Sequence, residues 1–232
     1  MSTPPVFVRA PFAAASALIL GACSFGSPSL QETRELELSV SPGSALTIEA
    51  GAGPLTVQGD DGDAIRVEAG IYQRSANDDY RLVLEADGED GARLVADAAS
   101  SMFGSSDYID LSIRVPRSMQ LRIDDGSGSI RVSSIGGDVE IDDGSGSITA
   151  EELGGDINVE DGSGSISIKG VAGDVTIDDG SGSIDVRDVA GTVTVSDGSG
   201  SITVEDAGDF ELLDDGSGSV NLTGIRARSA SD

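Results

Sequence analysis

Several residue types that most catalytic and metal sites need are absent from this sequence or nearly so. The 232 residues include no His, no Trp and one Cys, so imidazole chemistry is excluded. A single Cys also excludes an internal disulfide and a thiolate zinc site. Bases are scarce, because 14 Lys and Arg stand against 41 acids and leave a net charge of -27. A chain with this charge repels a nucleic-acid backbone, so nucleic acid is excluded as a partner.

The segment 1–22 has the features of a signal peptide. One base, Arg9, precedes a small-residue and apolar run over 10–22, which is too short to span a bilayer. The run ends in Leu20-Gly21-Ala22-Cys23, which resembles the bacterial lipobox. The resemblance implies that Cys23 is lipidated and that the segment 23–35 forms a lipid-anchored tether. Ser24 after the Cys favours the outer membrane by the same resemblance, and an ordinary secretory signal is the alternative.

A short repeat organises the second half of the chain. The string Asp-Gly-Ser-Gly-Ser recurs every 18 positions, and its first residues are Asp125, Asp143, Asp161, Asp179, Asp197 and Asp215. Pairs such as Ile130/Val132 and Val139/Ile141 recur at half this spacing and indicate two short strands per repeat. Hairpins would give each strand different neighbours, whereas a parallel solenoid stacks like residues about 4.8 Å apart. The pattern therefore favours the solenoid.

The predicted fold is all-β, a parallel β-solenoid (β-helix) with 18-residue rungs and an antiparallel β excursion near its N-terminal end. We expect one domain over 36–224, with regular repeats over 124–223 and a polar tail over 225–232. The apolar pairs also occur earlier, at Leu46/Ile48, Leu55/Val57 and Ile65/Val67. The solenoid should thus begin near Ser44, and the excursion, 70–118, should interrupt it with antiparallel strands.

The last repeat departs from the pattern. One residue is missing before Gly208 and an extra one follows Leu212, so the spacing of the repeats survives. This irregularity predicts a local bulge in the last complete rung. Phe210, a large side chain in this segment, should act as a plug near the C-terminal end, since solenoids need atypical terminal units.

The opening segment 38–43, the run 109–116 and the repeated Gly-Ser-Ile and Gly-Asp-Val strands resemble the bacterial putative-adhesin β-strand-repeat family. The resemblance covers the chain from 37 to 222. It implies an adhesin-like protein of the cell envelope with a domain of unknown function, and some relatives are associated with envelope stress. It implies no catalytic residues.

Acids also recur in rows along the repeats. Like charges stacked about 5 Å apart repel each other by about 1 kcal/mol per pair in water. The rows therefore form a candidate cation-binding ladder, made of Asp124, Asp125, Asp142, Asp143, Asp161, Asp178, Asp179, Asp197, Asp214 and Asp215. Calcium is the candidate ion because it is hard and prefers oxygen ligands. Diffuse screening of a solvated acidic surface is the alternative.

These observations predict a non-enzymatic outer-membrane lipoprotein that presents a rigid acidic solenoid for adhesion or interaction. The expected partners are the membrane, through the anchor, and a protein, glycan or cationic peptide. An envelope-stress component that senses cationic peptides or divalent ions is the alternative, and a structural spacer is a third. The Ser-Gly-Ser rows as an ice- or glycan-binding array, and an acid pair for glycoside hydrolysis, are not favoured. A Ser nucleophile would lack a base.

Overall fold

The structure is a computed structural model that describes residues 27–74, 79–88, 91–98 and 107–226. The predicted signal peptide, Cys23 and most of the predicted tail lie outside these residues. The described residues form strands and turns without a helix, and none of them builds a helical segment of the length and apolar character of a membrane span. The strands are β1 (Ser29–Ser39), β2 (Ala45–Ala50), β3 (Leu55–Asp60), β4 (Ala64–Gln73), β5 (Tyr80–Asp87), β6 (Gly91–Ala98), β7 (Tyr108–Pro116), β8 (Gln120–Asp125), β9 (Gly128–Ser133), β10 (Val139–Asp143), β11 (Gly146–Leu153), β12 (Ile157–Asp161), β13 (Gly164–Val171), β14 (Val175–Asp179), β15 (Gly182–Asp197), β16 (Gly200–Asp215) and β17 (Gly218–Thr223).

Two ladders of hydrogen-bonded strands form the two sheets of a solenoid. The first sheet has the order β5-β6-β2-β8-β10-β12-β14-β15-β16. The second sheet has the order β1-β4-β7-β3-β9-β11-β13-β15-β16-β17. β15 and β16 are long enough to turn the corner and contribute to both sheets. In the regular rungs each residue pairs with its equivalent in the next repeat, as Ile141 does with Val159. The predicted parallel β-solenoid is confirmed.

The antiparallel part extends both sheets at the N-terminal end. β5 and β6 form an antiparallel pair that adds to β2, while β1 and β4 add to β7. Ile65 and Val67 lie on β4, which runs antiparallel to β7, so their assignment to a solenoid rung is wrong. The pair has the right spacing of apolar residues, but spacing alone does not record chain direction. β1 begins at Ser29, and the second half of the predicted tether is therefore a strand.

Each regular rung buries five aliphatic side chains, four on its strands and one in the intervening turn. Residues of one rung, Ile148, Ala150, Leu153, Ile157 and Val159, are all at most 3% exposed. Side chains alternate between the two faces of a strand, so the apolar-polar-apolar pairs direct their aliphatics into the core. Burial of each larger aliphatic stabilises the fold by roughly 1.5–3 kcal/mol before the loss of conformational entropy.

The two corners of a rung have different backbone requirements. At the first corner Gly146, Gly164 and Gly182 have φ of 149° to 154°. A Cβ atom on any of them would lie 1.6–1.7 Å from the carbonyl oxygen of the glycine one rung earlier. Only glycine fits there. The second corner accepts side chains in the left-handed region, since Glu152 and Asp188 have φ of 59° and 58°.

The last complete rung contains the predicted bulge. The register between β15 and β16 shortens by one residue before Thr192↔Asp209 and recovers at Ser196↔Asp214. The extra residue, Leu213, is 63% exposed. Phe210 is half-buried against the core, as a plug would be. Beyond it β17 pairs with β16 alone among the described strands, and Leu222 is 45% exposed.

Candidate functional site

The two acids that stand side by side in each repeat point to opposite sides of the first sheet. Asp124, Asp142, Glu160 and Asp178 are exposed on the outside. Their neighbours Asp125, Asp143, Asp161, Asp179 and Asp197 are 1–5% exposed and face inward. Strand alternation is the cause, because each inward Asp lies two residues after a buried Ile or Val. The ten predicted ladder residues are thus split into two columns, and the last two, Asp214 and Asp215, are both exposed at the open end.

We define the acidic face as the outer surface of β8, β10, β12, β14 and residues 192–196, with the turn residue before each strand. Over these five rungs it carries eight acids and one base. The acids lie in three parallel columns and are Asp124, Asp138, Glu140, Asp142, Asp156, Glu160, Asp174 and Asp178. Adjacent members of a column are about 4.8 Å apart, the spacing of paired strands. The face is therefore a regular array of negative charge on one rigid sheet.

One column of the acidic face was missed by sequence reasoning. Asp138, Asp156 and Asp174 occupy the Gly-Asp corners, which the sequence marks only as turns. Their Oδ1 atoms accept hydrogen bonds from the backbone N–H of the next rung, at distances of 2.7–3.0 Å. These bonds fix the carboxylates at the side of a shallow groove of about 630 Å³. Their own recurrence, once in each repeat, is the signal that could have identified them.

The single base of the acidic face is already paired. Arg122 Nη1 lies 2.5 Å from Glu140 Oε1 on the next rung. The pair is solvent-exposed and contributes little to stability. Its effect on the surface is electrostatic, because it leaves the other seven acids of the face without a basic neighbour on these rungs. A cationic ligand would therefore meet uncompensated carboxylates.

The outer surface of the second sheet is more balanced. The strands β9, β11 and β13 with residues 182–188 and 200–206 carry six acids and three bases. Arg187 bridges Asp185 at 2.6 Å and Glu205 on the next rung at 3.3 Å. Short hydroxyl side chains fill much of the remaining surface in exposed columns, such as Ser147, Ser165 and Ser183. The negative charge of the solenoid is thus concentrated on one of its two faces.

The inward column has incomplete hydrogen bonding. In Asp143, Asp161, Asp179 and Asp197, Oδ1 accepts a hydrogen bond of 3.0–3.1 Å from the backbone N–H two residues on. Their Oδ2 atoms are buried without a partner among the described residues, and the same holds for both oxygens of Asp125. Burial raises the pKa of Asp125 to about 7 and those of Asp143 and Asp179 to about 6, and the nearest carboxylates of the column add to the rise. The pKa values of Asp161 and Asp197 are also raised, mainly by burial.

The calcium hypothesis requires a larger donor set than the inward column offers. Calcium takes six to eight oxygen ligands. The backbone carbonyls of these aspartates accept hydrogen bonds from the next rung, as Asp143 O does from Gly162 N at 2.9 Å. Within the described ranges, no group of three or more acids is arranged to hold a metal ion. The acidic face, by contrast, is arranged to attract mobile cations without enclosing one.

Comparisons with known proteins give similarity at the level of structure. No family model and no curated protein matches the chain. Solved structures that resemble it include a putative cell adhesion protein from Clostridium sporogenes ATCC 15579, with 11% identity, 83% of this chain and 99% of that chain covered, and a TM-score of 0.45. A putative adhesin from Bacteroides fragilis NCTC 9343 has 12% identity, covers 83% and 97% of the two chains, and gives a TM-score of 0.49. Both descriptions agree with the adhesin-like family that the sequence resembles. At these identities the likeness identifies no ligand, partner or activity for this chain.

Proposed function

We propose that the chain is a non-enzymatic lipoprotein of the cell envelope whose solenoid presents the acidic face to cationic partners. The observation that carries the proposal is the charge array itself, eight acids and one base in columns on one sheet. Such a field raises the local concentration of cationic ligands and accelerates their association. Nucleic acid and bare anionic lipid are repelled by the same field. Adhesion to a basic protein or peptide is the function that this surface supports best.

The anchored arrangement is part of the same proposal. Lipidation at Cys23 would hold the solenoid on the outer membrane, and two or more acyl chains make such an anchor stable. β1, the first strand after the lipobox, forms the edge of the second sheet at the N-terminal end. The acidic rungs would therefore stand away from the membrane, where a partner can reach them.

A second function, the sensing of cationic peptides in envelope stress, is favoured by the same acidic face. It differs from adhesion in its consequence and uses the same first step, which is binding of a basic peptide. Divalent ions would compete for the same carboxylates without enclosure. Binding of a basic probe therefore tests both versions.

The test uses oligolysine as the probe and isothermal titration calorimetry at low and high salt. The triple variant Asp142→Asn, Glu160→Gln, Asp178→Asn removes three charges from the acidic face. We expect it to weaken binding by about tenfold, since exposed ion pairs each contribute up to about 1 kcal/mol. Salt should weaken binding to the wild-type chain as well, because it screens exposed charges.

The matched control removes three charges from the second sheet, as Glu151→Gln, Asp188→Asn, Asp206→Asn. It has the same net charge as the first variant and should keep most of the wild-type affinity. Equal losses in the two variants would show that only total charge matters. Absence of oligolysine binding to the wild-type chain at both salt levels would remove cationic partners from the proposal.

A further inference from the structure

The inward aspartates form a continuous column along the corner of the first sheet. Strand pairing places Asp125, Asp143, Asp161, Asp179 and Asp197 in direct register, one on each successive rung. Paired strands are about 4.8 Å apart. Each carboxylate belongs to a residue at most 5% exposed and has one or two oxygens without a hydrogen-bond partner in the described part of the chain. Five stacked charges with unpaired acceptors in the interior would repel one another strongly.

Among the described residues, the surroundings of the column offer no positive charge and no donor for the unpaired oxygens. At one end the column continues into Ala50 of β2 and then Ala96 of β6, which are apolar. At the other end it continues into Asp215 of β16, which is exposed. Across the interior, the facing residues of β9, β11, β13, β15 and β16 are buried aliphatics such as Ile148 and Ile166.

The remaining charged groups near the column are all acids on the outer side of the same strands. They are Asp124, Asp142, Glu160, Asp178 and Asp214. An unpaired buried acceptor is costly, and a buried charge without a partner is more so. A ladder of Asn would satisfy itself, because each amide N–H could donate to the next rung. Asp lacks that donor unless it is protonated.

We propose that the column Asp125–Asp143–Asp161–Asp179–Asp197 is a shared-proton ladder, in which a carboxylic acid O–H on one rung donates to the unpaired carboxylate oxygen on the next. Each such bond takes one proton from solvent and neutralises one charge of the column. The O–H supplies the missing donor, and the remaining carboxylate accepts it. Charge repulsion between those two rungs is removed at the same time. The ladder therefore makes the packing of successive rungs depend on pH.

The direction of the pH effect follows from the proton count. Burial raises the pKa of these aspartates above the usual 3.8, to about 6 for Asp143 and Asp179 and about 7 for Asp125. Between the usual value and these raised values, the folded chain holds more protons than the unfolded chain. The stabilisation from the shared protons is therefore largest at the acid end of this range. It is lost as the pH rises through about 6 to 7.

The experiment measures thermal unfolding of the full mature chain between about pH 5 and pH 8, with Asp161→Asn as the central variant. Asn supplies an N–H donor that does not titrate. We expect the wild-type melting temperature to fall towards the alkaline end. Asp161→Asn should raise the melting temperature there by about 2–4 °C and flatten the profile. The control Asp178→Asn removes an exposed charge on the next strand and should keep the wild-type pH slope.

Direct titration keeps the proposal testable if Asp161→Asn does not fold. NMR of the side-chain carboxyl carbons in the wild-type chain should show midpoints well above the usual 3.8 for the inward aspartates. Asp197→Asn, next to the exposed end, is the second variant and should also flatten the profile. Midpoints at the usual value would overturn the ladder. So would a stabilisation by calcium, beyond matched magnesium, that Asp161→Asn abolishes, because a cation would then hold the column together.

Discussion

At the scale of single residues, the first corner of each rung depends on glycine more strictly than the second. Gly164 has φ of 153°, and a Cβ there would lie 1.6 Å from Gly146 O. We predict that Gly164→Ala lowers the free energy of unfolding by at least about 1–3 kcal/mol, because backbone must move to make room. Urea unfolding followed by circular dichroism measures the change.

Gly170 provides the matched control for this substitution. It also has positive φ, at 72°, but the atom nearest to an added Cβ would be 3.7 Å away. Its equivalents on other rungs, Glu152 and Asp188, are not glycine. Gly170→Asn should therefore change the free energy of unfolding by less than about 0.5 kcal/mol. A Gly164→Ala chain as stable as Gly170→Asn would contradict the close-contact argument.

At the scale of strands, the repeat can be shortened only in whole rungs. Deletion of 144–161 removes one complete repeat and joins Asp143 to Gly162, so every remaining residue keeps its stacking partner type. We predict that this chain folds cooperatively with a lower melting temperature, since one set of rung interfaces is lost. Thermal unfolding followed by circular dichroism measures both properties.

Deletion of 144–160 removes one residue fewer than a complete repeat and serves as the control. A shift of one residue turns the side chains of a strand to the opposite face. The joined segment would then direct acids into the core and aliphatics outward. We expect this chain to lose cooperative unfolding. If both deletions unfold alike, side-chain register does not control the stacking of rungs.

The same strands show what sequence pattern can and cannot predict. The regular spacing determined the solenoid and the bulge near Leu213, because parallel stacking requires like residues in register. Alternation could also have separated Asp124 from Asp125, since Ile123 is an inward residue. Chain direction is different: Ile65 and Val67 match a solenoid pair, yet β4 runs antiparallel. The unpaired Oδ2 atoms depend on three-dimensional packing and could not be read from spacing.

At the scale of the whole molecule, the predicted anchor and the free end lie at opposite ends of the stack. The second sheet has ten strands, from β1 to β17, which span about 43 Å at the usual strand spacing. Cys23 is six positions from Ser29, a distance of at most about 20 Å. A lipid at Cys23 would thus keep β1 near the membrane and place β17 far from it.

We predict that mass spectrometry of the mature protein finds an acylated Cys23 as the first residue. Cys23→Ser should release the protein from the membrane fraction, because it removes the site of acylation. The solenoid should be unaffected, so the released chain should melt at the wild-type temperature. A mature chain that begins before Cys23 and carries no lipid would contradict the anchor and leave the acidic face as a property of a secreted protein.

The near-identity of the rungs has a consequence for the gene. Each corner string is encoded almost identically, so the coding sequence contains many matched segments between which recombination can occur. An exchange between any two of them adds or removes whole rungs and preserves both the reading frame and the stacking register. The reach of the protein from its attachment point, and the number of carboxylates it displays, can therefore change in single genetic steps without a new fold.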